Sequence, residues 1–116
     1  MAKVSTPVYQ FGPFILDIAE ERLTRGGMTV RLTSKRLAIL SLLVQEHGHL
    51  VRKDELMRMI WPDSDVEENN LTVNISALRK ALGESSKEGK YIETVPGRGY
   101  RFVAEVRRIQ GEDEEA

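Results

Sequence analysis

Asn69, Val73, Ser76, Ala77 and Lys80 are spaced so that an α-helix brings them all to one face. The set contains no acidic residue, its side chains are mostly small, and a valine stands in its middle. Carboxylates on such a face would be repelled by nucleic-acid phosphates, whereas small side chains permit close approach. A valine can meet a thymine methyl group. This is the chemistry of a helix laid in a DNA major groove. Farther along, Pro96-Gly97-Arg98-Gly99 sets one arginine between two glycines at a turn. There it can reach away from the body, and a lone arginine on a thin hairpin suits a minor groove.

The elements that hold these residues follow from the apolar pattern. Leu71, Ile75, Leu78 and Leu82 recur at i, i+4, i+7 and i+11, a stripe directly opposite the polar set. That stripe must face a core, so the spacing predicts a capped amphipathic helix from about Asn69 to Leu82. A polar stretch from Glu84 to Lys90 leads to the hairpin, in whose second strand Tyr100, Phe102 and Ala104 share one face with Arg101 on the other. A second helix is expected over about Lys53–Ile60, ending where Trp61-Pro62 forbids continuation. Its cap position is Arg52, and Asp54 and Glu55 in the first turn suit the helix dipole. Thr33 is a good N-cap and Gly48 a good stop for a first helix, with Leu37, Leu40, Leu43 and Val44 on its core face. His47 and His49, at the end of that helix, read as surface residues with no third ligand nearby. Ahead of it, Tyr9–Phe11, Phe14–Ile18, Arg22–Arg25 and Met28–Leu32 read as short strands punctuated by Gly12-Pro13 and Gly26-Gly27.

The run Leu71-Thr-Val-Asn-Ile-Ser-Ala-Leu-Arg-Lys-Ala-Leu82, followed by Tyr91-Ile-Glu-Thr-Val-Pro-Gly-Arg-Gly-Tyr-Arg-Phe102, resembles the winged helix-turn-helix effector domain of OmpR/PhoB-type transcriptional regulators. Leu32-Thr-Ser-Lys35, Glu55-Leu56 and Ile60-Trp61-Pro62 fit the same pattern. The resemblance implies an α+β fold with an N-terminal four-stranded antiparallel sheet, three helices and a C-terminal β-hairpin wing. It places a winged-helix DNA-binding domain at residues 8–106 and leaves 107–116 as a charged disordered tail or linker. The implied function is sequence-specific binding of double-stranded DNA for transcriptional regulation, with the third helix in the major groove and the wing on the minor groove.

Carried over position by position, the resemblance makes Asn69 and Asn74 phosphate contacts, as it does Thr94 at the wing's base, and adds Thr72 to the DNA-facing set. Trp61 either offers its indole N–H to a phosphate or serves as a core aromatic. Family members that are response regulators often carry arginine at the position of Pro96 and a large basic residue at that of Ala77, which implies sparser base readout here. The acidic loop with Asp63, Asp65, Glu67 and Glu68 is either an RNA polymerase contact, as in relatives, or a solvated loop. Relatives place two copies head to tail on direct-repeat half-sites, so a monomer that pairs only on DNA is expected. A winged helix near the start of a chain, followed by charged residues, is also similar to regulators of the CadC and ToxR kind.

Composition sets the bounds. At 116 residues and 41% hydrophobic content the chain fits one domain with a modest core. The formal charge of −1 is low for a DNA binder, but its distribution is uneven. Residues 69–108 hold eight basic and four acidic side chains, a surplus of four positive charges on the half that carries the helix and hairpin. The absence of cysteine excludes disulfides and thiolate chemistry and suits the cytoplasm. The apolar run Leu37–Val44 is broken by Ser41 and far short of the ~20 residues that span a bilayer. The loop from Asp63 begins like a calcium loop, but Glu68 replaces its glycine and Asn74 its closing carboxylate, so no metal is expected. No phosphate-cradling loop, zinc-protease motif or nucleophile elbow is present, so neither enzymatic activity nor a cofactor is expected. The competing reading is a winged-helix module for protein–protein contact with weak DNA affinity.

Overall fold

The structure is a computed structural model that describes residues 6–63, 65–84 and 91–110. In chain order its elements are β1 (Val8–Phe11), β2 (Phe14–Asp17), β3 (Arg22–Arg25), β4 (Met28–Val30), α1 (Ser34–Gln45), β5 (Leu50–Arg52), α2 (Lys53–Ile60), α3 (Glu68–Ala81), β6 (Ile92–Val95), β7 (Gly99–Phe102) and β8 (Arg107–Gln110). They form two compact units, one from Met1–Arg31 with Glu105–Ala116, the other from Leu32–Ala104.

The first unit is an antiparallel sheet in the order β4-β3-β2-β1-β8. Its register sets Tyr9 opposite Leu16, Leu16 opposite Leu23 and Leu23 opposite Val30, with Phe11 opposite Phe14. One face therefore collects Phe11, Phe14, Leu16 and Leu23, all buried. The Phe11 and Phe14 rings stack with centroids 5.5 Å apart, and the Arg25 guanidinium lies 5.4 Å from the Phe14 centroid. Gly26 and Gly27 both take positive φ in the two-residue turn joining β3 to β4, the conformation that makes a double glycine a hairpin signal.

The sheet has a fifth strand that the sequence does not announce. Residues from 107 read as tail, yet Arg107–Gln110 pairs antiparallel with β1, Tyr9 facing Arg108 and Gln10 facing Arg107. An edge strand whose side chains at Arg107, Arg108 and Ile109 are exposed needs no apolar alternation, so its sequence looks like solvated chain. Backbone pairing to β1 fixes its register. The rest of the expected tail, residues 111–116, lies outside the described residues.

In the second unit α1 starts where Thr33 predicts, its hydroxyl oxygen accepting from the Arg36 amide at 3.2 Å. Its buried side is Ile39, Leu40, Leu43 and Val44; Leu37, expected on that face, is only half-buried. The core stripe is rotated toward Ile39. The helix ends at Gln45, before Gly48, whose amide at positive φ donates to the Phe102 carbonyl at 2.9 Å. α2 runs as expected, and Arg52 at its N-cap makes no side-chain cap bond. The Arg98 carbonyl takes over, accepting from the Lys53 amide at 2.9 Å. At the other end of α2, Lys35 Nζ donates to the Ile60 carbonyl at 2.9 Å.

Between α1 and α2 lies β5, unforeseen because three residues are too few to show alternation. It pairs with β7, so the expected two-stranded hairpin is part of a three-stranded sheet, β5-β7-β6. Gly99 faces Arg52 in that register, and a Cβ there would collide with the Val51 carbonyl oxygen. Ala104, expected on the same strand face as Tyr100 and Phe102, falls beyond the end of β7.

Candidate nucleic-acid interface

α3 is built by its buried stripe. Leu71, Ile75, Leu78 and Leu82 are all within 2% of complete burial, as their spacing requires. The N-terminal cap differs from expectation: Glu67 occupies the N-cap position and makes no side-chain cap bond. The start is held instead by Glu68, whose carboxylate lies 2.9 Å from Lys53 Nζ and favours the positive end of the helix dipole. That hydrogen bond and charge raise the Lys53 pKa above its ordinary value. The C-terminus closes on Gly83 at positive φ. Its amide donates to the Lys80 carbonyl and the Glu84 amide to the Arg79 carbonyl, each at 3.0 Å.

The opposite face is open. Asn69, Thr72, Val73, Ser76 and Lys80 are exposed, and Ala77 is half-buried beside them. Val73 keeps 50% of its surface, a large apolar exposure for the centre of a polar face. The structure therefore brings the helix-borne residues expected to face DNA to one side of α3, with one exception. Asn74 sits on the flank, where its Oδ1 accepts from Arg36 Nε at 2.8 Å and its Nδ2 donates to the Asn70 carbonyl at 2.7 Å. Both ends of the amide are occupied within the domain.

The wing follows. Pro96 and Gly97 are the central residues of a tight turn closed by the Arg98 amide on the Val95 carbonyl at 2.9 Å, and Gly97 supplies the positive φ. The Arg98 side chain is exposed. Its backbone, bonded to Val95 on one side and Lys53 on the other, keeps the tip against the start of α2. Arg98 thus reaches outward with its side chain alone.

A network that the sequence did not reveal joins wing to helix. Arg79 Nε lies 3.1 Å from Glu84 Oε2, and Arg79 Nη2 donates to the Ile92 carbonyl at 2.9 Å and to Thr94 Oγ1 at 2.7 Å. Glu84 Oε1 accepts from the Tyr91 amide. Thr94 is exposed and uses its oxygen to accept from Arg79, so its own O–H is left to donate outward. One signal was available: Arg79 adjoins Leu78 and stands four residues past Ile75, at the edge of the core stripe and not opposite it.

Trp61 is neither a core aromatic nor an open surface residue. It is the half-buried C-cap of α2 and lines a groove of about 490 Å3 with Met57, Pro62 and Val66. Asp63, Asp65 and Glu67 are exposed near this groove, whereas Glu68 belongs to α3 and is engaged with Lys53. No helix among the described residues is long and apolar enough to cross a membrane.

Comparisons with known proteins agree with this architecture. The family described as "Transcriptional regulatory protein, C terminal" matches residues 27–102. The transcriptional regulator HilA of Salmonella typhimurium is 40% identical over 99 residues, which cover 85% of this chain and 18% of HilA. The transcriptional regulatory protein KdpE of Mycobacterium tuberculosis is 32% identical over 104 residues, covering 89% of this chain and 46% of KdpE. The chain thus spans less than half of the length of these relatives. Among solved structures, the DNA-binding domain of CadC from E. coli superposes with a TM-score of 0.75 at 29% identity, covering 90% of this chain and 99% of that one. The Klebsiella pneumoniae RstA DNA-binding domain, in complex with the RstA box, gives 0.72 at 26% identity, covering 83% and 96%.

Proposed function

The chain belongs to the OmpR/PhoB-type family of transcriptional regulatory domains, and we propose that it binds double-stranded DNA sequence-specifically to regulate transcription. α3 enters the major groove and the wing lies on the adjacent minor groove. The observation that carries this reading is the exposed face of α3, free of carboxylates from Asn69 to Lys80 and centred on an exposed valine. The wing presents Arg98 and Thr94.

Selection of bound sites from random DNA, followed by affinity measurements over a salt series, tests it. A defined sequence should be enriched, and log K should fall linearly with log salt. Binding without sequence preference, or an affinity for protein that salt leaves unchanged, would favour the protein-contact module instead.

The finer assignments extend this proposal. The domain is monomeric alone and pairs head to tail on direct repeats about 10–10.5 bp apart, which puts both reading helices on one side of the duplex. A tight dimer in ultracentrifugation without DNA would contradict that. Exposed Asp63, Asp65 and Glu67 beside the Trp61 groove support a contact with RNA polymerase. The site of action is the cytoplasm, where the DNA is.

A further inference from the structure

We infer that Arg36 of α1 binds a DNA phosphate on the flank of α3 away from the wing, and that Asn74 is the positioning residue that aims it. The inference rests on the DNA-binding reading and assigns it a contact from a helix outside the helix–wing pair. Arg36 donates its Nε–H to Asn74 Oδ1 at 2.8 Å, while Asn74 Nδ2 donates one of its two hydrogens to the Asn70 carbonyl at 2.7 Å. The amide is therefore held at both ends, which fixes its orientation and leaves one Nδ2 hydrogen over. Among the described residues nothing bonds the terminal nitrogens of the guanidinium that it orients. No carboxylate among the described residues pairs with Arg36, and the residue is only half-buried. A partly desolvated cation held by a neutral amide is completed by an anion from outside.

Placement on α3 says where that anion would be. At 100° per residue, Asn74 and Arg79 stand roughly 140° apart on the two sides of the buried stripe. Arg79 leads to the wing through Ile92 and Thr94, so the Arg36 guanidinium marks the other flank of the reading face. A helix in a major groove about 12 Å wide has a phosphate backbone along each flank. The identity of residue 74 fits the same logic: an amide steers the guanidinium without cancelling its charge, as an aspartate would.

The test uses the intact chain and a selected DNA site. Arg36→Ala should weaken binding by a similar factor on every sequence and flatten the salt slope by about one unit. The gap to wild type should then narrow about three- to fourfold between 50 and 200 mM salt. Asn74→Asp should flatten the slope equally, by neutralising Arg36, whereas Arg36→Lys should keep it. Thermal melts without DNA check that each variant is folded. Affinity and slope unchanged in Arg36→Ala, or affinity lost with the slope intact, would overturn the inference while DNA binding stood. Wild type that bound no DNA would remove the underlying reading, and this inference with it.

Discussion

Arg79 and Glu84 form an ion pair of 3.1 Å at the end of α3, with side chains 18% and 0% exposed. Through it the last turn of the reading helix is bonded to the Tyr91 amide, the Ile92 carbonyl and the Thr94 hydroxyl. The angle between helix and wing is therefore set by polar contacts as well as by the leucine stripe. Glu84→Ala would remove the carboxylate that both the Arg79 guanidinium and the Tyr91 amide bond to, while Arg79 keeps the Ile92 carbonyl and the Thr94 hydroxyl. The expected cost is about 3 kcal/mol, the low end for a broken buried pair because Arg79 retains some water contact. Urea denaturation gives the magnitude, and faster hydrogen exchange at the Tyr91 amide would locate the damage.

Val73→Glu separates reading from folding. The residue is half exposed, so the substitution should leave the melting temperature within a degree or two yet abolish specific binding by setting a carboxylate against the groove. Leu78→Ala, which truncates a fully buried side chain, should cost about 2–5 kcal/mol. A mobility shift by Val73→Glu equal to that of wild type would refute the assignment of this face.

Arg98→Ala should weaken binding by about 1–3 kcal/mol if the guanidinium enters a narrow minor groove. The loss should then be larger on A·T-rich flanks, where narrow grooves concentrate negative potential. Affinities on A·T-rich and G·C-rich flanks check this, and equal affinity to wild type on both would mean that the wing tip does not touch DNA.

Gly99→Ala forces a methyl group into the Val51 carbonyl, so β5 and β7 must part. We expect a loss of about 1–3 kcal/mol, typical of overpacking, with Gly97→Ala costing less because its strain is confined to a turn with open space around it. Equal melting temperatures for the two variants would contradict this ordering.

Ending the chain at Val106 strips β8 from β1 and leaves β1 as an edge. The melting temperature should fall by several degrees relative to the full chain. Coincident melts would show that the fifth strand adds nothing.

The sequence is most informative where one residue type answers one physical need. The Leu71 to Leu82 stripe, the Thr33 cap and the Gly26-Gly27 turn all stand where their chemistry required. It is least informative where pairing depends on partners far along the chain. β5 and β8 owe their existence to backbone edges offered by β7 and β1, which leave no apolar pattern in three or four residues. The roles of Asn74 and Arg79 were hidden for a related reason. The resemblance implies only a phosphate contact for Asn74 and assigns Arg79 no role, and it is the approach of α1 and of β6 that gives them Arg36, Ile92 and Thr94 to bond.

The bond from the Lys53 amide to the Arg98 carbonyl asks nothing of the Arg98 side chain. A main-chain oxygen is the same for most residues, so α2 keeps its borrowed cap whatever is displayed at position 98. Architecture and readout are decoupled at that one residue. A randomised library confined to it should yield variants that melt together yet prefer different flanking sequences, making the tip a natural place to reprogram the domain.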